Sequence, residues 1–335
     1  MIVSQNKPTL TLIASESGFK AVDLASFLRE EELGWPMSKL YQNVLSEFPE
    51  DGELLTDTVV AAKENTTRME ARATYSSSDK RTIQGQLYAV LCWANDQRTV
   101  VVGFRMVKED QNQLAVTLDL IDEFLSLGVP VRGVRGDGFY WKENFVKGLK
   151  QRHLSLISKP RCDSWWYVGA EEIQLREYAQ TLAIESFHYY GDHQVYAKAL
   201  AVGRYEYGIA KIVVIRPRRS SPPKDWIYLI CTDLNMTVRQ IVNGYRGRWR
   251  IEVVFRDCSQ QLGLKSHQGY KQSSERHVAL VFLAYNFLSE WKWKEGHTLG
   301  YWKRTFSKSY KQERTRLLGS SMIEFQQTGA FQTVN

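Results

Sequence analysis

The most informative segment of the chain is Tyr245-Arg-Gly-Arg248-Trp-Arg-Ile-Glu252-Val-Val-Phe-Arg256-Asp-Cys-Ser259-Gln-Gln-Leu-Gly-Leu264. Drawn as a helix with about 100° per residue, it separates into a polar side and an apolar side. The apolar side can pack against a core and carries Ile251, Val254, Phe255, Cys258 and Leu262. The polar side places one carboxylate among cations and hydroxyls, in the set Tyr245, Arg248, Glu252, Arg256 and Ser259. A lone glutamate on a solvated face usually has no function, but this setting is more specific.

The same segment resembles the Tyr-x2-Arg-x3-Glu-x6-Lys signature of bacterial insertion-sequence transposases of the DDE type. Tyr245, Arg248 and Glu252 match the signature, and Ser259 stands where it has lysine. The resemblance implies an RNase H-like α/β core, a mixed sheet with flanking helices. In that family the glutamate is the third member of an Asp-Asp-Glu metal triad on the last core helix. Two aspartates are therefore expected upstream, each on a strand.

Asp57 and Asp137 are the candidates for these two positions. Asp57 lies in the apolar and β-branched run 53–60, which is typical of a buried strand. Asp137 follows the short strand-like run 129–136. Most aspartates in such places are turn formers or helix caps, so neither position alone establishes a ligand. The assignment depends on the joint appearance of both aspartates and Glu252 in the right order.

The intervening sequence supplies the remaining core elements. Two β-rich runs at 86–93 and 98–107 predict a hairpin around Asn95 and Asp96. Helical spacing of apolar residues predicts helices over 112–127 and 142–152. The resulting order β-β-β-α-β-α is that of an RNase H-like core, and it places Asp57 and Asp137 on adjacent parallel strands.

The resemblance covers about residues 50 to 290 in outline. The predicted division has a small helical N-terminal segment (1–50), a catalytic core (51–153 and 236–290), a β-rich insertion (154–235) and a basic aromatic tail (291–335). Trp226 lies in the insertion, where relatives carry a tryptophan that stacks on a base flipped out of the DNA. The alternative is a tryptophan in the core, which is the usual place for this residue in a β-rich segment. Trp165 and Trp166 are further candidates for the stacking role.

The resemblance implies metal-dependent phosphoryl transfer on DNA. Carboxylates that converge on one site need cations among them, so two Mg²⁺ or Mn²⁺ ions are expected at Asp57, Asp137 and Glu252. Family members nick the element end, form a hairpin through the freed 3′-hydroxyl, reopen it and insert into target DNA by a cut-and-paste route. The expected partners are terminal inverted repeats and target DNA, bound by a homodimer. The expected DNA contacts are Tyr245, Arg248, Arg256, Ser259 and Trp226.

Composition agrees with a polyanionic partner. The formal net charge is +7 and the pI is about 9.1, which favours nucleic acid without proving it. Basic residues cluster in 216–224 and in 292–316, the second time with interleaved aromatics. The four cysteines lack metal-ligand spacing and indicate reduced thiols. Neither a signal peptide nor a membrane span is recognisable, so a bacterial cytoplasmic protein, nucleoid-associated when bound to DNA, is expected.

Ser259 is the main departure from the signature and leaves alternatives open. A serine can donate to phosphate but brings no charge, so Arg256 would have to compensate or end binding would be weaker. The chain could also be a catalytically impaired copy or a non-catalytic DNA-binding relative, although all three carboxylates are retained. A structure-specific nuclease on the same fold is a further alternative, and it would cleave DNA without joining it.

Overall fold

The structure, a computed structural model, describes residues 51–62, 72–76, 80–204, 208–266 and 271–328. The helical segment predicted for residues 1–50 lies outside this part of the chain. Within the described residues, one compact unit comprises 51–58 and 89–252. A second unit comprises the described parts of 59–88 and 253–328.

The described strands form one mixed sheet, and helices accompany it. The strands are β1 Gly52–Ala62, β2 Arg72–Ser76, β3 Arg81–Ala94, β4 Thr99–Met106, β5 Val131–Arg135, β6 Leu156–Ser158, β7 Trp165–Val168, β8 Glu171–Gln174, β9 His188–Tyr190, β10 Val195–Arg204, β11 Gly208–Arg216 and β12 Ile227–Cys231. The α-helices are α1 Gln113–Leu125, α2 Glu143–Gln151, α3 Leu175–Thr181, α4 Val238–Gly247, α5 Trp249–Gln261, α6 Lys271–Glu295 and α7 Leu299–Thr328.

The centre of the sheet has the predicted RNase H-like arrangement. Strands β1 and β5 pair in parallel, with Leu55 opposite Arg135, and β5 pairs in parallel with β6. On the other side of β1 lies β3, which also pairs with β4. Helix α1 begins after Asn112, whose side chain accepts a hydrogen bond from the Leu114 amide at 2.8 Å. The predicted hairpin and both predicted helices are confirmed, and β2 is an additional short strand.

The insertion extends the core sheet and does not form a separate one. The strand order is β2-β3-β1-β5-β6-β12-β11-β10-β7-β8. The run that begins the predicted insertion contains β6, which pairs with β5 and is therefore the fifth strand of the core. From β6 the sheet continues through the antiparallel partner β12. The boundary predicted at residue 154 is therefore corrected, because β6 belongs to the core and the register carries on through it.

The segment quoted first is divided between two helices. Helix α4 begins at Thr237, where a capping box with Gln240 satisfies free amide groups of the first turn. It ends at Arg248, whose backbone stays helical (φ −55°, ψ −34°), so the interruption before α5 is slight. The continuous helix predicted from Tyr245 to Leu264 is corrected in this respect. Its apolar side is confirmed, since the structure buries Ile251, Val254, Cys258 and Leu262.

The C-terminal region is helical, and its aromatic residues contact one another. Between α6 and α7, Trp291 lies 5.3 Å from Trp302 and 5.4 Å from Phe306, measured between ring centroids. Phe287 lies 5.4 Å from Phe306. These rings form a helix–helix contact and are not a free stacking surface for bases, which corrects the interpretation of the tail. No helix in the described ranges is long and apolar enough to cross a membrane.

Candidate active site

Parallel pairing of β1 and β5 brings Asp57 and Asp137 onto neighbouring strands. Each aspartate lies two residues beyond the paired residues Leu55 and Arg135. The Asp57 carboxylate accepts a hydrogen bond from the Thr58 amide at 2.7 Å. The Asp137 carboxylate accepts one from the Phe139 amide at 2.9 Å and caps a short 3-10 helix. The predicted placement of the two aspartates on adjacent parallel strands is confirmed.

Arg248 connects the first aspartate with the glutamate. Its guanidinium Nη1 lies 3.3 Å from Oδ2 of Asp57, and its Nη2 donates to Oε1 of Glu252. The Arg248 side chain is only 13% exposed, so both ion pairs are largely shielded from water. The same guanidinium lies 5.6 Å from the centre of the Tyr245 ring. Asp57, Tyr245, Arg248 and Glu252 therefore form one contact cluster.

The electrostatics of this cluster show an excess of negative charge. The pKa of Asp57 is raised from 3.8 to about 7, first by burial and then by repulsion from Asp137, with a smaller contribution from Glu252. The Thr58 amide and the Arg248 guanidinium lower this pKa but do not cancel the rise. Burial also raises the pKa of Tyr245, which feels Arg248, Asp137 and Glu252. All three predicted carboxylates are thus close enough to influence one another.

A divalent metal is the cofactor that such a set of groups would take. Carboxylate oxygens suit hard ions such as Mg²⁺ and Mn²⁺, and the elevated pKa of Asp57 indicates that another positive charge would be stabilising. In the described part of the chain, however, no group of three or more acidic, histidine or cysteine side chains is arranged to hold an ion. The predicted convergence of three carboxylates is corrected accordingly, because the Arg248 guanidinium lies between Asp57 and Glu252. The donor chemistry fits a metal, while this arrangement is neutralised by arginine.

Arg256 and Ser259 lie farther along α5. The Arg256 side chain is 54% exposed and lies 3.4 Å from the carboxylate of Asp257. Ser259 is partly buried. Both follow Glu252 on the helix, as the sequence predicted, but Arg256 already has an acidic neighbour.

Trp226 does not have the exposure that base stacking requires. Its side chain is buried, and its indole Nε1 donates to the Ser221 carbonyl oxygen at 2.8 Å. The Arg216 guanidinium covers the ring at 4.6 Å, and the Phe187 ring lies 6.2 Å away. The structure therefore contradicts the predicted base-stacking role, and Trp226 belongs to the core. Trp166 is also buried, whereas Trp165 is 54% exposed.

Trp249 is a candidate DNA contact that the sequence interpretation missed. It follows Arg248 directly and is 60% exposed, unlike Trp226. A signal was available, because a helix with about 100° per residue puts Trp249 within about 40° of Tyr245. The residue was overlooked since an apolar aromatic was expected to pack inward.

The largest cavity near this site is not at the carboxylates. It has a volume of about 550 Å³ and lies beside the beginnings of β1 and β5 and the end of β3. Its walls include Asp51, Glu53, Asn95, Arg132, Gly244 and Arg250. A large polymeric substrate binds on a surface, so a closed pocket is not required at Asp57.

Comparison with known proteins agrees with this geometry. A solved structure titled "Cryo-EM structure of piggyBac transposase synaptic complex with hairpin DNA" has a similar fold, with a TM-score of 0.50 and 12% sequence identity. The likeness covers 94% of this chain and 70% of the other. No curated protein matches the sequence. The family model for the transposase DDE domain matches residues 58–287, a range that includes Asp137 and Glu252 and begins directly after Asp57. The chain has an RNase H-like fold and belongs to the transposase DDE domain family.

Proposed function

We propose that this protein is a DNA transposase of the bacterial insertion-sequence type. It cleaves DNA at the ends of its element and joins the freed 3′-hydroxyl to target DNA. Asp57, Asp137 and Glu252 are its catalytic carboxylates. The observation that supports this best is the bridge from Arg248 to Asp57 and Glu252, beside the strand that ends at Asp137.

The three carboxylates would hold two Mg²⁺ or Mn²⁺ ions. Bound there, the ions would activate a water molecule or a 3′-hydroxyl and stabilise the leaving oxygen of the phosphoryl transfer. The protein's part is to lose the proton of Asp57 and to withdraw Arg248 from between the carboxylates. The elevated pKa of Asp57 means that its proton is still partly present near neutral pH. Arrival of a divalent cation favours its release.

The freed guanidinium then has a second use. Arginine binds phosphate with two parallel hydrogen bonds, which suits a DNA backbone next to the scissile bond. Tyr245 lies against Arg248 and would orient it. Exposed Trp249 and partly exposed Arg256 and Ser259 would extend the DNA contact along α5. Arg248 thus exchanges two carboxylates for a phosphate when DNA and metal bind.

The proposed reaction follows the cut-and-paste route with a hairpin intermediate. The DNA partners are the element's terminal inverted repeats and the target, held by a homodimer. The basic residues of α7 provide a further positively charged surface, since Arg304, Lys308 and Lys311 are exposed at helical spacing. In the cell the protein would act in the bacterial cytoplasm on nucleoid DNA.

The proposal is tested with a plasmid that carries the genomic DNA flanking the gene on both sides. The purified protein is incubated with this plasmid and Mg²⁺ or Mn²⁺, and the products are mapped by sequencing. Nicks at two inverted ends, followed by hairpin ends and insertion into a second plasmid, are expected. Cleavage without joining would instead support a structure-specific nuclease. DNA binding without any cleavage would indicate a non-catalytic relative.

A further inference from the structure

A buried ion pair lies just before the two aspartates on the same two strands. Nη2 of Arg135 lies 2.7 Å from Oε1 of Glu53, and the Arg135 side chain has no exposed surface. Glu53 precedes Asp57 by four residues, and Arg135 precedes Asp137 by two. Residues two apart on a strand face the same side, and Leu55 is paired with Arg135. The ion pair and Asp57 therefore lie on one face of the sheet.

Helix α4 lies very close to this ion pair, at two glycines. A Cβ atom on Gly244 would lie 2.8 Å from Nε of Arg135 and 2.8 Å from a methyl group of Ile157. A Cβ atom on Gly247 would lie 3.6 Å from the Glu53 carboxylate, which is an ordinary contact. Gly244 therefore allows an approach that any other residue would prevent. The residues that follow these glycines, Tyr245 and Arg248, belong to the candidate site.

We infer that the Glu53–Arg135 pair is a positioning element for the catalytic helices. It sets the height of α4 over β1 and β5, and in this way it places Arg248 and Glu252 against Asp57. Replacing a buried ion pair with apolar residues often leaves stability unchanged, so the pair is not needed for stability alone. Its hydrogen bonds are directional, whereas an apolar contact would let the helix slide. The inference relies on the proposed function only where DNA cleavage is the readout.

The first test compares two alanine substitutions that differ in one contact. Gly244→Ala forces α4 away from Arg135, whereas Gly247→Ala, one turn later, adds a methyl group that fits. Alanine favours helix over glycine in both variants, so a weaker helix cannot explain a loss. The full-length Gly244→Ala protein should bind flanking DNA within about threefold of wild type but cleave it at least about thirtyfold more slowly in a single turnover. Gly247→Ala should cleave like wild type. Equal cleavage by the two variants would overturn the inference.

The second test needs no activity. Glu53→Leu combined with Arg135→Met replaces the pair with apolar residues, and Arg248→Ala removes the bridge to Asp57. If the pair positions Arg248, these changes are coupled, and the unfolding equilibrium constant of the combined variant departs at least about threefold from the product of the separate effects. Independent effects would show that the pair does not act on Arg248. Ile230→Val, a core change in the neighbouring strand β12, is the control and should combine independently with Arg248→Ala.

The two tests separate the two claims. If the wild-type protein does not cleave DNA at all, the proposed function fails and the stability cycle alone decides the positioning role. If it cleaves and the Gly244→Ala protein is unfolded, the apolar pair variant takes its place in the cleavage assay. That variant should then show the same slow cleavage with normal DNA binding. Normal cleavage by a folded apolar pair variant would exclude the positioning role.

Discussion

Two arginines in this protein lie against aromatic rings, and only one of them is at the candidate site. Arg216 covers Trp226 at 4.6 Å and donates to the Arg219 carbonyl oxygen at 2.7 Å. Arg248 lies 5.6 Å from the Tyr245 ring and bridges Asp57 and Glu252. The ring contact is therefore common to a structural region and a reactive one. What distinguishes the reactive region is unbalanced carboxylate charge next to the arginine.

The largest expected effect comes from the carboxylate that has no arginine partner in this comparison. Asp137→Asn keeps an oxygen that can accept from the Phe139 amide, so the local turn should be preserved. Cleavage of the flanking DNA should fall below detection, because an amide is a poor ligand for a hard divalent ion. DNA binding should stay within about twofold of wild type, since phosphate contacts dominate affinity. Asp122→Asn, which weakens a surface ion pair with Arg152, is the control and should cleave normally. A cleaving Asp137→Asn protein would break the distinction between the two regions.

Exchanging the two arginines for methionine compares them directly. Arg248→Met should slow cleavage by about a hundredfold, on the scale of removing one charge-stabilising donor. It should also increase the metal affinity of the DNA-free protein, because the competing guanidinium is gone. Arg216→Met should lower stability and leave the cleavage rate of the folded protein within about threefold of wild type. Isothermal calorimetry with Mn²⁺ and single-turnover cleavage provide the two readouts. Unchanged metal affinity in Arg248→Met would contradict the competition between arginine and metal.

The aromatic partners should respond differently as well. Trp226→Ala should cost about 3–5 kcal/mol of unfolding free energy, the range for a large core side chain. Trp165→Ala, at an exposed position of the insertion, should change stability by less than about 0.5 kcal/mol. Urea denaturation measures both values. If Trp226→Ala were as stable as wild type but slow in hairpin formation, the core assignment would be wrong and the base-stacking role would return.

The pH dependence of stability reports on the charge that sets Asp57 apart. Folding raises the pKa of Asp57 from 3.8 to about 7, so the folded protein keeps a proton that the unfolded chain has released. The metal-free protein should therefore lose stability as the pH rises from about 4 to about 7, by a few kcal/mol at most. Asp57→Asn should remove this part of the dependence. Stabilisation by Mg²⁺ should be larger at pH 8 than at pH 6, since the ion competes with the proton. Identical pH profiles for wild type and Asp57→Asn would contradict the assigned pKa.

The smallest expected effect concerns the departure from the family signature. Ser259→Lys restores the cation that the signature has at this position. It should steepen the slope of log affinity for DNA ends against log salt by about 0.9, the value for one added phosphate contact. Gln260→Lys, at the exposed neighbouring position, adds the same charge and is the control. Equal slopes for the two variants would mean that residue 259 does not face the DNA.

The parts of the fold that follow from local patterns could be predicted from the sequence. Strands β1, β3, β4 and β5, helices α1 and α2, and the buried side of α5 follow from periodicity of two or 3.6 residues. Asp57 and Asp137 could be placed together because parallel neighbours align their ends. The continuation of the core sheet through β6 and β12 could not be predicted, since pairing partners far apart in sequence leave no local signal.

Within the candidate site, residue types were predictable and contacts were not. Tyr245, Arg248 and Glu252 were identified from their spacing, but the bridge from Arg248 to Asp57 spans 191 residues of sequence. Trp226 and Trp249 were both judged from composition and position, and their exposures turned out opposite. The side of a tryptophan that meets solvent depends on tertiary packing, which propensity does not contain.

The most direct test of the account locates the bound metal. Fe²⁺ can replace Mg²⁺ in the full-length protein, and with ascorbate and peroxide it cuts the backbone near its own position. Cuts are predicted beside residues 57, 137 and 252, suppressed by excess Mg²⁺ and by Asp137→Asn, and stronger in Arg248→Met. Cuts confined to other places, for example near Asp51 and Asp96 at the 550 Å³ cavity, would contradict a metal site at the three carboxylates.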